Sequence, residues 1–291
     1  MHFGLFAMNY GTCAQPEQAV RIARHAEAAG FESLWTGEHL ALPSPRPSGF
    51  GIDPQLPFLD TVAALTLLAT ATERVKLGTG IIILPLHHPV ILAKQLATVD
   101  LISSGRLIAG FGAGYVEAEF DAVGVELGDR GELMDEYLDA LHQLWTAPEP
   151  RMAGRHVSFQ GIGAEPRPLR PGGPPIVLGG VAPAARRRVV TRANGWYAFN
   201  TTPDWVEEAI GVIRGDEERW GRPAELGRLE LTVTPTGPFD RSVVERYREL
   251  GVDRLVLLPN LGVDSGRRHA PVEPEEILRA IDTVAGDHLD A

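Results

Sequence analysis

Proton transfer near neutral pH is the first chemistry that the sequence offers, through a histidine at the end of a predicted strand. Of the nine histidines, His39 follows the β-rich run 33–37 most directly. An imidazole with an ordinary pKa both binds and releases protons in this range. We therefore predict that His39 is a catalytic acid or base; the alternative is a histidine whose hydrogen bonds only shape its loop. Glu38 would point to the other side of an extended strand, so we expect it to brace the fold.

The adjacent histidines His87 and His88 raise the question of metal binding. Two neighbouring side chains of a regular strand or helix cannot both face one ion, and no further ligands stand at suitable spacing nearby. We predict that both histidines are structural and that there is no metal site. Gly78 and Gly80 interrupt the aliphatic run just before them, which is typical of a bulge or of close approach by a ligand or another backbone.

Two glycine-rich segments follow later predicted strands. Residues 110–114 read G-x-G-x-G, without the spacing and the immediate helix of a dinucleotide fingerprint. Residues 179–183 precede a predicted helix, and Pro183 suits its first turn. Free amides at a helix N-terminus bind phosphate well, so we expect an anion there. The basic run 186–188 on this helix is more typical of a solvated face.

A pair of carboxylates would indicate a different chemistry, hydrolysis in a barrel. Glu117 and Glu119 follow the fourth predicted strand. Because Glu38 is predicted to face away, they have no convincing acidic partner across the site. We interpret Glu117 and Glu119 as the solvated start of a helix.

These residues need a scaffold that brings several strand ends together. Eight β-rich runs alternate with segments of helical period, and several are apolar throughout, as parallel strands covered on both faces are. The runs are 3–8, 33–37, 75–84, 106–112, 175–180, 195–199, 229–235 and 254–259. Eight such units predict a TIM barrel, a (β/α)8 fold, as one domain over 1–291, with a doubly wound sheet as the alternative. In a TIM barrel the active site lies at the carboxyl ends of the strands.

Two long segments interrupt the alternation. The Pro/Gly-rich loop 41–57 follows the second strand, and residues 149–174, which include a predicted hairpin, separate the fourth helix from the fifth strand. Long loops in compact domains are often lids or binding loops, so we expect a binding role for both rather than two solvated insertions.

The segment 58–73 is apolar or small nearly all round. An outer helix of a barrel normally carries one polar face, so a helix without one needs a second covering partner. We predict a homodimer that buries this helix; the alternative is that the chain's own long loops cover it.

Composition limits the partners and the compartment. The net charge of −11 disfavours nucleic acid and anionic membrane surfaces. The chain has one cysteine, so it forms no internal disulfide, and a reducing compartment is the simplest setting. No apolar run approaches the length of a bilayer span, and the N-terminus is typical of a first strand rather than a signal peptide. We expect a cytoplasmic protein that acts on a small molecule.

Taken together, the predicted strand ends resemble those of the luciferase-like monooxygenase family. This superfamily includes bacterial luciferase, flavin-dependent alkane-sulfonate-type monooxygenases and deazaflavin-dependent oxidoreductases. The resemblance covers about the first two-thirds of the chain, and the pattern over 110–137 is most similar to the probable coenzyme F420-dependent oxidoreductases. The matching stretches are 30–40 (GFESLWTGEHL), 75–125, 131–146, 174–190 and 194–197.

The resemblance implies a role for each matching position. His39 matches the histidine that exchanges a proton beside the reactive ring of the cofactor. Gly80 and Ile81 match residues joined by a non-proline cis peptide bond, which places backbone against that ring. Further cofactor contacts are implied at Gly112, Ala113, Gly179, Gly180 and Val181, the last three as a phosphate-binding turn. Tyr115 and Trp196 would shape the substrate pocket, although ordinary core packing is the alternative for both.

The cofactor decides the reaction that this resemblance implies. Bacterial luciferase has an arginine where this chain has Ala113, and there it helps to hold the FMN phosphate; its absence favours coenzyme F420. We therefore expect hydride transfer to or from a small organic substrate, because the redox chemistry belongs to the cofactor. The alternatives are an FMN-dependent monooxygenase and, in another class, a non-catalytic flavin-binding protein. The substrate is not predicted.

Overall fold

The computed structural model describes residues 1–48, 50–237, 239–259 and 272–289. At its centre lie eight parallel strands, and each overlaps one of the eight runs predicted from the sequence. They are β1 His2–Leu5, β2 Ser33–Thr36, β3 Lys76–Thr79, β4 Leu107–Gly112, β5 Ile176–Gly179, β6 Gly195–Thr201, β7 Glu230–Pro235 and β8 Arg254–Leu257.

The strands close into a barrel. β1 pairs with β8, where Leu5 lies opposite Leu257, and also with β2, where Leu5 lies opposite Leu34. β3 pairs with β4 at Leu77 and Leu107, and β4 to β8 follow one another in chain order. Each of the eight strands therefore has two parallel neighbours. The predicted (β/α)8 barrel is confirmed, and an open doubly wound sheet is wrong because such a sheet has two free edges.

Nine α-helices in the described ranges surround the strands. Five of them begin with proline, whose missing N–H costs nothing in a first helical turn. The first helix buries the apolar stripe Ala19, Ile22, Ala23 and Ala26 against the barrel. The helices are α1 Pro16–Ala28, α2 Thr61–Ala71, α3 Pro89–Ile102, α4 Glu117–Val123, α5 Arg130–Thr146, α6 Pro183–Arg192, α7 Pro203–Trp220, α8 Arg241–Glu249 and α9 Pro274–His288.

The end of β3 is irregular, as its glycines indicated. The Gly80–Ile81 peptide bond is cis, which confirms that prediction. The chain then pairs again with β4 through Ile82–Ile83. Just before the bend, Thr79 Oγ1 both donates to the carbonyl oxygen and accepts from the amide of Gly110, each over 2.7 Å. A Cβ at Gly110 would collide with the Thr79 carbonyl oxygen, so this close approach of the two strands requires glycine.

The long segment before β5 contains the predicted hairpin, in which Met152–Ala153 pairs antiparallel with Ser158–Phe159. The loop 41–57 is partly anchored in the core, because Leu56 is buried in an aromatic cluster and Ile52 packs against that cluster. Among the described residues, no helix combines the length and the apolar character that crossing a bilayer would require.

Helix α2 packs one face on the barrel and leaves apolar and small residues on the other. Ala64, Leu65 and Leu68 are buried, whereas Ala63 and Thr70 are exposed. Asp60 caps the helix by accepting the Ala63 amide at 2.8 Å. The homodimer through this helix stays a prediction.

An ion cluster closes the end of the barrel opposite the strand carboxyl termini. Arg254, at the start of β8, is 1% exposed and makes two hydrogen bonds to Glu32, of 2.8 and 2.9 Å. It also contacts Glu230 and donates to Thr232 Oγ1 at 3.0 Å. Burial raises the pKa of Glu32, but the hydrogen bonds and charge of Arg254 outweigh burial and bring it to about 2.

Candidate active site

A cavity of about 570 Å³ opens at the carboxyl ends of the strands. Its walls come from the segments that follow β1 to β5 and from β6 itself. All ten residues nominated from the sequence line it: His39, Gly80, Ile81, Gly112, Ala113, Tyr115, Gly179, Gly180, Val181 and Trp196. Ligand sites of TIM barrels lie at this face, and the volume is typical of a cofactor or small-molecule site.

His39 is held by a buried carboxylate. Its Nδ1 lies 3.1 Å from Oε2 of Glu119, and the imidazole is only 11% exposed. The other oxygen of Glu119 accepts the backbone amides of Leu40, at 2.7 Å, and Ala41, at 3.3 Å. With Nδ1 donating to the carboxylate, Nε2 is the nitrogen left to exchange a proton with a molecule in the cavity.

The position of Glu119 corrects the sequence interpretation. Glu119 was expected at the solvated start of a helix, and it does lie in the first turn of α4, but it is fully buried. Glu117, two residues earlier, is exposed as expected. The side chain of Glu119 reaches inward because three donors from the loop after β2 surround it.

Glu38 braces the bend after β3, as expected, but it lines the cavity together with His39, so the prediction that it faces away was wrong. Its Oε2 accepts the Ile83 amide at 2.6 Å, and its Oε1 lies 3.0 Å from Nε2 of His87. Burial lowers the pKa of His87, but the hydrogen bond and charge of Glu38, with a contribution from Asp60, raise it above its usual value. His87 is therefore structural, as predicted, in an ion pair with a carboxylate that lines the cavity.

One wall of the cavity consists of main chain. A Cβ on Gly80 would come within 2.7 Å of the Tyr197 ring and 2.9 Å of the Phe6 ring, and a Cβ on Gly112 would collide with the Ile81 side chain. Both positions therefore require glycine, because the Tyr197 and Phe6 rings lie against Gly80 and the Ile81 side chain lies against Gly112. Gly80 and Gly112 both line the cavity, and a glycine lets a ligand approach the backbone closely.

The start of α6 forms a second wall. Gly180 has φ +99°, which favours glycine, and its carbonyl oxygen accepts a hydrogen bond from Trp196 Nε1 at 3.2 Å. Gly179, Gly180 and Val181 lead into the first turn of the helix, where amides lack intrahelical partners. The nominated turn therefore presents the donors that a phosphate needs.

Arg130 also lines the cavity, although the sequence analysis did not nominate it. It begins α5 beside α6, because Arg188 of α6 donates to the carbonyl oxygen of the next residue, Gly131, at 2.8 Å. A cation in the first turn of a helix is unfavourable because it opposes the helix dipole. This placement is the sequence feature that could have marked Arg130 as a candidate site residue.

The basic run on α6 contributes structure rather than charge to the site. Arg186 lies 2.5 Å from Asp216 of α7, and Arg188 makes two hydrogen bonds of 2.9 Å to Asp135 of α5. The interpretation of 186–188 as a solvated face holds for Arg187, which is exposed, and is wrong for its two neighbours.

Within the described ranges, no three His, Cys, Asp or Glu side chains are grouped closely enough to hold a metal ion.

Known proteins share both the sequence pattern and the fold. The model of the luciferase-like monooxygenase family matches residues 1–247. An uncharacterised protein of Mycobacterium tuberculosis is 28% identical over 274 residues, which cover 91% of this chain and 94% of that protein. The monooxygenase RslO1 from Streptomyces bottropensis aligns with a TM-score of 0.79 and 21% identity, over 100% of this chain and 99% of that one.

A second solved structure, the coenzyme F420-dependent tetrahydromethanopterin reductase from Methanopyrus kandleri, aligns with a TM-score of 0.75 and 18% identity. The alignment covers 99% of this chain and 98% of the reductase. At these identities the two structures show the shared barrel, whereas the family match extends over most of the sequence. The chain belongs to the luciferase-like monooxygenase family, a family of oxidoreductases.

Proposed function

We propose that this protein is a coenzyme F420-dependent oxidoreductase that transfers hydride to or from a small organic substrate. The observation that carries the proposal is one cavity that joins a main-chain wall, a helix N-terminus with a nearby arginine, and a histidine–glutamate pair. A planar redox cofactor with an anionic tail has a complementary shape and charge.

The chain offers separate groups for the ring and the tail of such a cofactor. The backbone at Gly80–Ile81 and Gly112–Ala113 would lie against the ring. The amides that follow Gly179, together with Arg130, would hold the phosphate through charge-assisted hydrogen bonds. When bound, the deazaflavin ring supplies the hydride transfer, as cofactors do in such enzymes.

His39 would supply or accept the proton that accompanies hydride transfer to a substrate oxygen. Glu119 fixes the imidazole so that Nε2 is the exchanging nitrogen. The imidazole is only 11% exposed, and aromatic rings flank it, so a bound substrate would displace water from its surroundings.

The choice of F420 over FMN rests on Ala113. Ala113 lies just after β4 and has no positive charge to place beside the cofactor ring. Arg130 remains available to a phosphate, and a phosphate group is present in FMN as well, so an FMN-dependent monooxygenase is the second candidate. The two solved neighbours, a monooxygenase and an F420-dependent reductase, are divided in the same way.

Titration of the purified protein with coenzyme F420 and with FMN, followed by fluorescence, separates the candidates. We expect a dissociation constant of about 1 µM for F420 and binding at least about tenfold weaker for FMN. Arg130→Met should weaken binding, whereas Arg214→Met, which alters an exposed arginine of α7, should not. Tighter binding of FMN would favour the monooxygenase, binding without turnover of any substrate would favour a flavin-binding protein, and binding of neither cofactor would overturn the proposal.

A further inference from the structure

A continuous series of rings lines part of the cavity. We call Tyr115, His39, Phe58, Tyr10, Phe6, Phe199 and Tyr197 the aromatic arc. Each ring touches the next, with centroid separations of 6.5, 5.6, 4.6, 6.1, 5.0 and 6.3 Å in that order. The arc begins after β4, passes over the segments that follow β2 and β1, and ends in β6.

The aromatic arc reaches the solvent at its first ring, Tyr115, and at Phe199, whereas its last ring, Tyr197, is buried. Tyr115 is 70% exposed and Phe199 is 44% exposed, whereas Phe6 and Tyr10 are buried. Exposed aromatic rings at the mouth of a cavity, continuous with buried rings inside it, are typical of a site that takes an apolar guest.

Charged groups that could pair with a substrate ion are scarce along the arc. Three of the described residues that line the cavity have side chains that can carry a charge: Glu38, His39 and Arg130. Glu38 is already engaged at both oxygens, by Ile83 and His87. Arg130 begins α5, which packs beside α6, and none of the ring contacts along the arc involves it.

The phenols of the arc do not supply charge either. Burial raises the pKa of Tyr10 and of Tyr197, and Tyr197 shares its hydroxyl with Thr234 Oγ1 at 2.7 Å. Both phenols are therefore neutral at physiological pH. Besides the phenol hydroxyls of Tyr10 and Tyr115, which also line the cavity, the arc offers a guest the Nε2 atom of His39, because Glu119 occupies Nδ1.

An ionised substrate would lose its hydration at the arc and gain no opposite charge in exchange. The transfer of an unpaired ion into such an environment is strongly unfavourable, whereas flat apolar rings gain burial and ring–ring contacts. One carbonyl or hydroxyl oxygen is tolerated where it meets His39.

We propose that the aromatic arc selects a neutral, ring-containing carbonyl compound or its alcohol, whose oxygen faces Nε2 of His39. This inference rests on the proposed function for the nature of the reaction, and it adds the class of substrate.

Calorimetric titration with two matched ketones tests the selection. Acetophenone and 4-acetylbenzoate share the ring and the ketone and differ by one carboxylate. The protein is first saturated with F420 or FMN, whichever binds, so that neither ketone can occupy the place of the cofactor. We expect the dissociation constant of acetophenone to be at least about tenfold lower than that of 4-acetylbenzoate.

Variants of the arc locate the binding. Phe58→Leu and Phe199→Leu remove one ring each, and each should weaken acetophenone binding about three- to tenfold. Phe199 is partly exposed, so its variant keeps the test valid if Phe58→Leu does not fold. Trp220→Leu, at the end of α7 and away from the cavity, should leave the dissociation constant unchanged.

Three results would overturn the inference: binding of 4-acetylbenzoate as tight as that of acetophenone, no detectable binding of acetophenone, or insensitivity to both arc variants. The proposed function fails on a different result, namely that neither cofactor binds. In that case the same ketone titrations on the unloaded protein and its arc variants still decide whether the arc selects neutral rings.

Discussion

At the scale of single residues, the contact between His39 and Glu119 gives the two imidazole nitrogens different tasks. Nδ1 is held by a carboxylate that is fully buried, and Nε2 faces the cavity. Orientation of an imidazole by a carboxylate on its far nitrogen is a general way to fix its tautomer. The catalytic proposal and the stability of the loop after β2 both depend on this carboxylate.

His39→Ala should lower the rate constant for reduction of a bound ketone about 10²- to 10⁴-fold, because it removes the general acid. The cofactor dissociation constant should change much less, since the ring and phosphate contacts lie elsewhere. Single-turnover oxidation of the reduced cofactor by acetophenone measures the rate. Full turnover by the variant would show that His39 does not transfer the proton.

Glu119→Ala should destabilise the protein by about 1–3 kcal/mol, because His39 and two partly buried backbone amides of the loop after β2 lose their acceptor. The matched control is Glu117→Ala, which removes an exposed carboxylate from the same helix turn and should change stability by less than about 0.5 kcal/mol. Urea unfolding compares the two variants. If the two variants lost the same stability, the hydrogen bonds accepted by Glu119 would not stabilise the protein.

At the scale of elements, the bend after β3 is held by an ion pair that titrates. Glu38 joins the amide of Ile83 to the imidazole of His87, so the charge of His87 supports the main-chain wall of the cavity. The raised pKa of folded His87 means that its protonated form is favoured by folding.

The contribution of His87 to stability should therefore be fully present below about pH 6.5, its unfolded pKa, and should be lost as the pH rises through the higher folded value. Urea unfolding of the wild type and of His87→Gln between about pH 5.5 and 9 measures this difference. His88→Gln alters an exposed neighbour whose side chain caps nothing, and it serves as the matched control. A stabilising contribution of His87 that grew with pH would refute the ion pair.

Helix α2 carries a prediction about assembly. The substitution Ala63→Glu places a charge on its exposed face near the N-terminus, where an acidic residue suits the helix itself. If the homodimer forms through α2, sedimentation velocity should show a dimer for the wild type and a monomer for this variant. Val212→Glu, on the exposed face of α7, should remain dimeric. A monomeric wild type would end the dimer hypothesis.

At the scale of the whole molecule, the two ends of the barrel are built for different purposes. The carboxyl ends of the strands enclose the cavity, whereas the amino ends are closed by Arg254 with Glu32 and Glu230. The Arg254 side chain is only 1% exposed, so water cannot solvate its charge. The closed end is therefore stable only while Arg254 keeps its carboxylate partners.

Arg254→Leu should cost about 3–5 kcal/mol at neutral pH, since it leaves Glu32 partly buried without its main partner. The difference from the wild type should shrink as the pH falls from about 4.5 towards 2, because protonation of Glu32 removes the pair in the folded state. Arg214→Leu, at an exposed position on α7, is the control in the same urea unfolding series. A loss of stability equal to that of the control would contradict this account.

The sequence by itself determined the barrel, the bend after β3 and the rim positions. The eight strands follow from local apolar runs, and a residue at a strand end keeps that place however the neighbouring strands pack. The positions of His39, Gly80 and Gly180 at one cavity follow from that regularity, because parallel barrel strands end at one face.

Only the tertiary structure decided which side chains meet. His39 and Glu119 are 80 residues apart in the chain, and Glu38 and His87 are 49 apart. A glutamate in the first turn of a helix is ordinary on an exposed surface, so the burial of Glu119 had no local signal, and its predicted solvation was wrong. Burial and pairing are properties of segments packed against each other, and periodicity within one segment does not contain them.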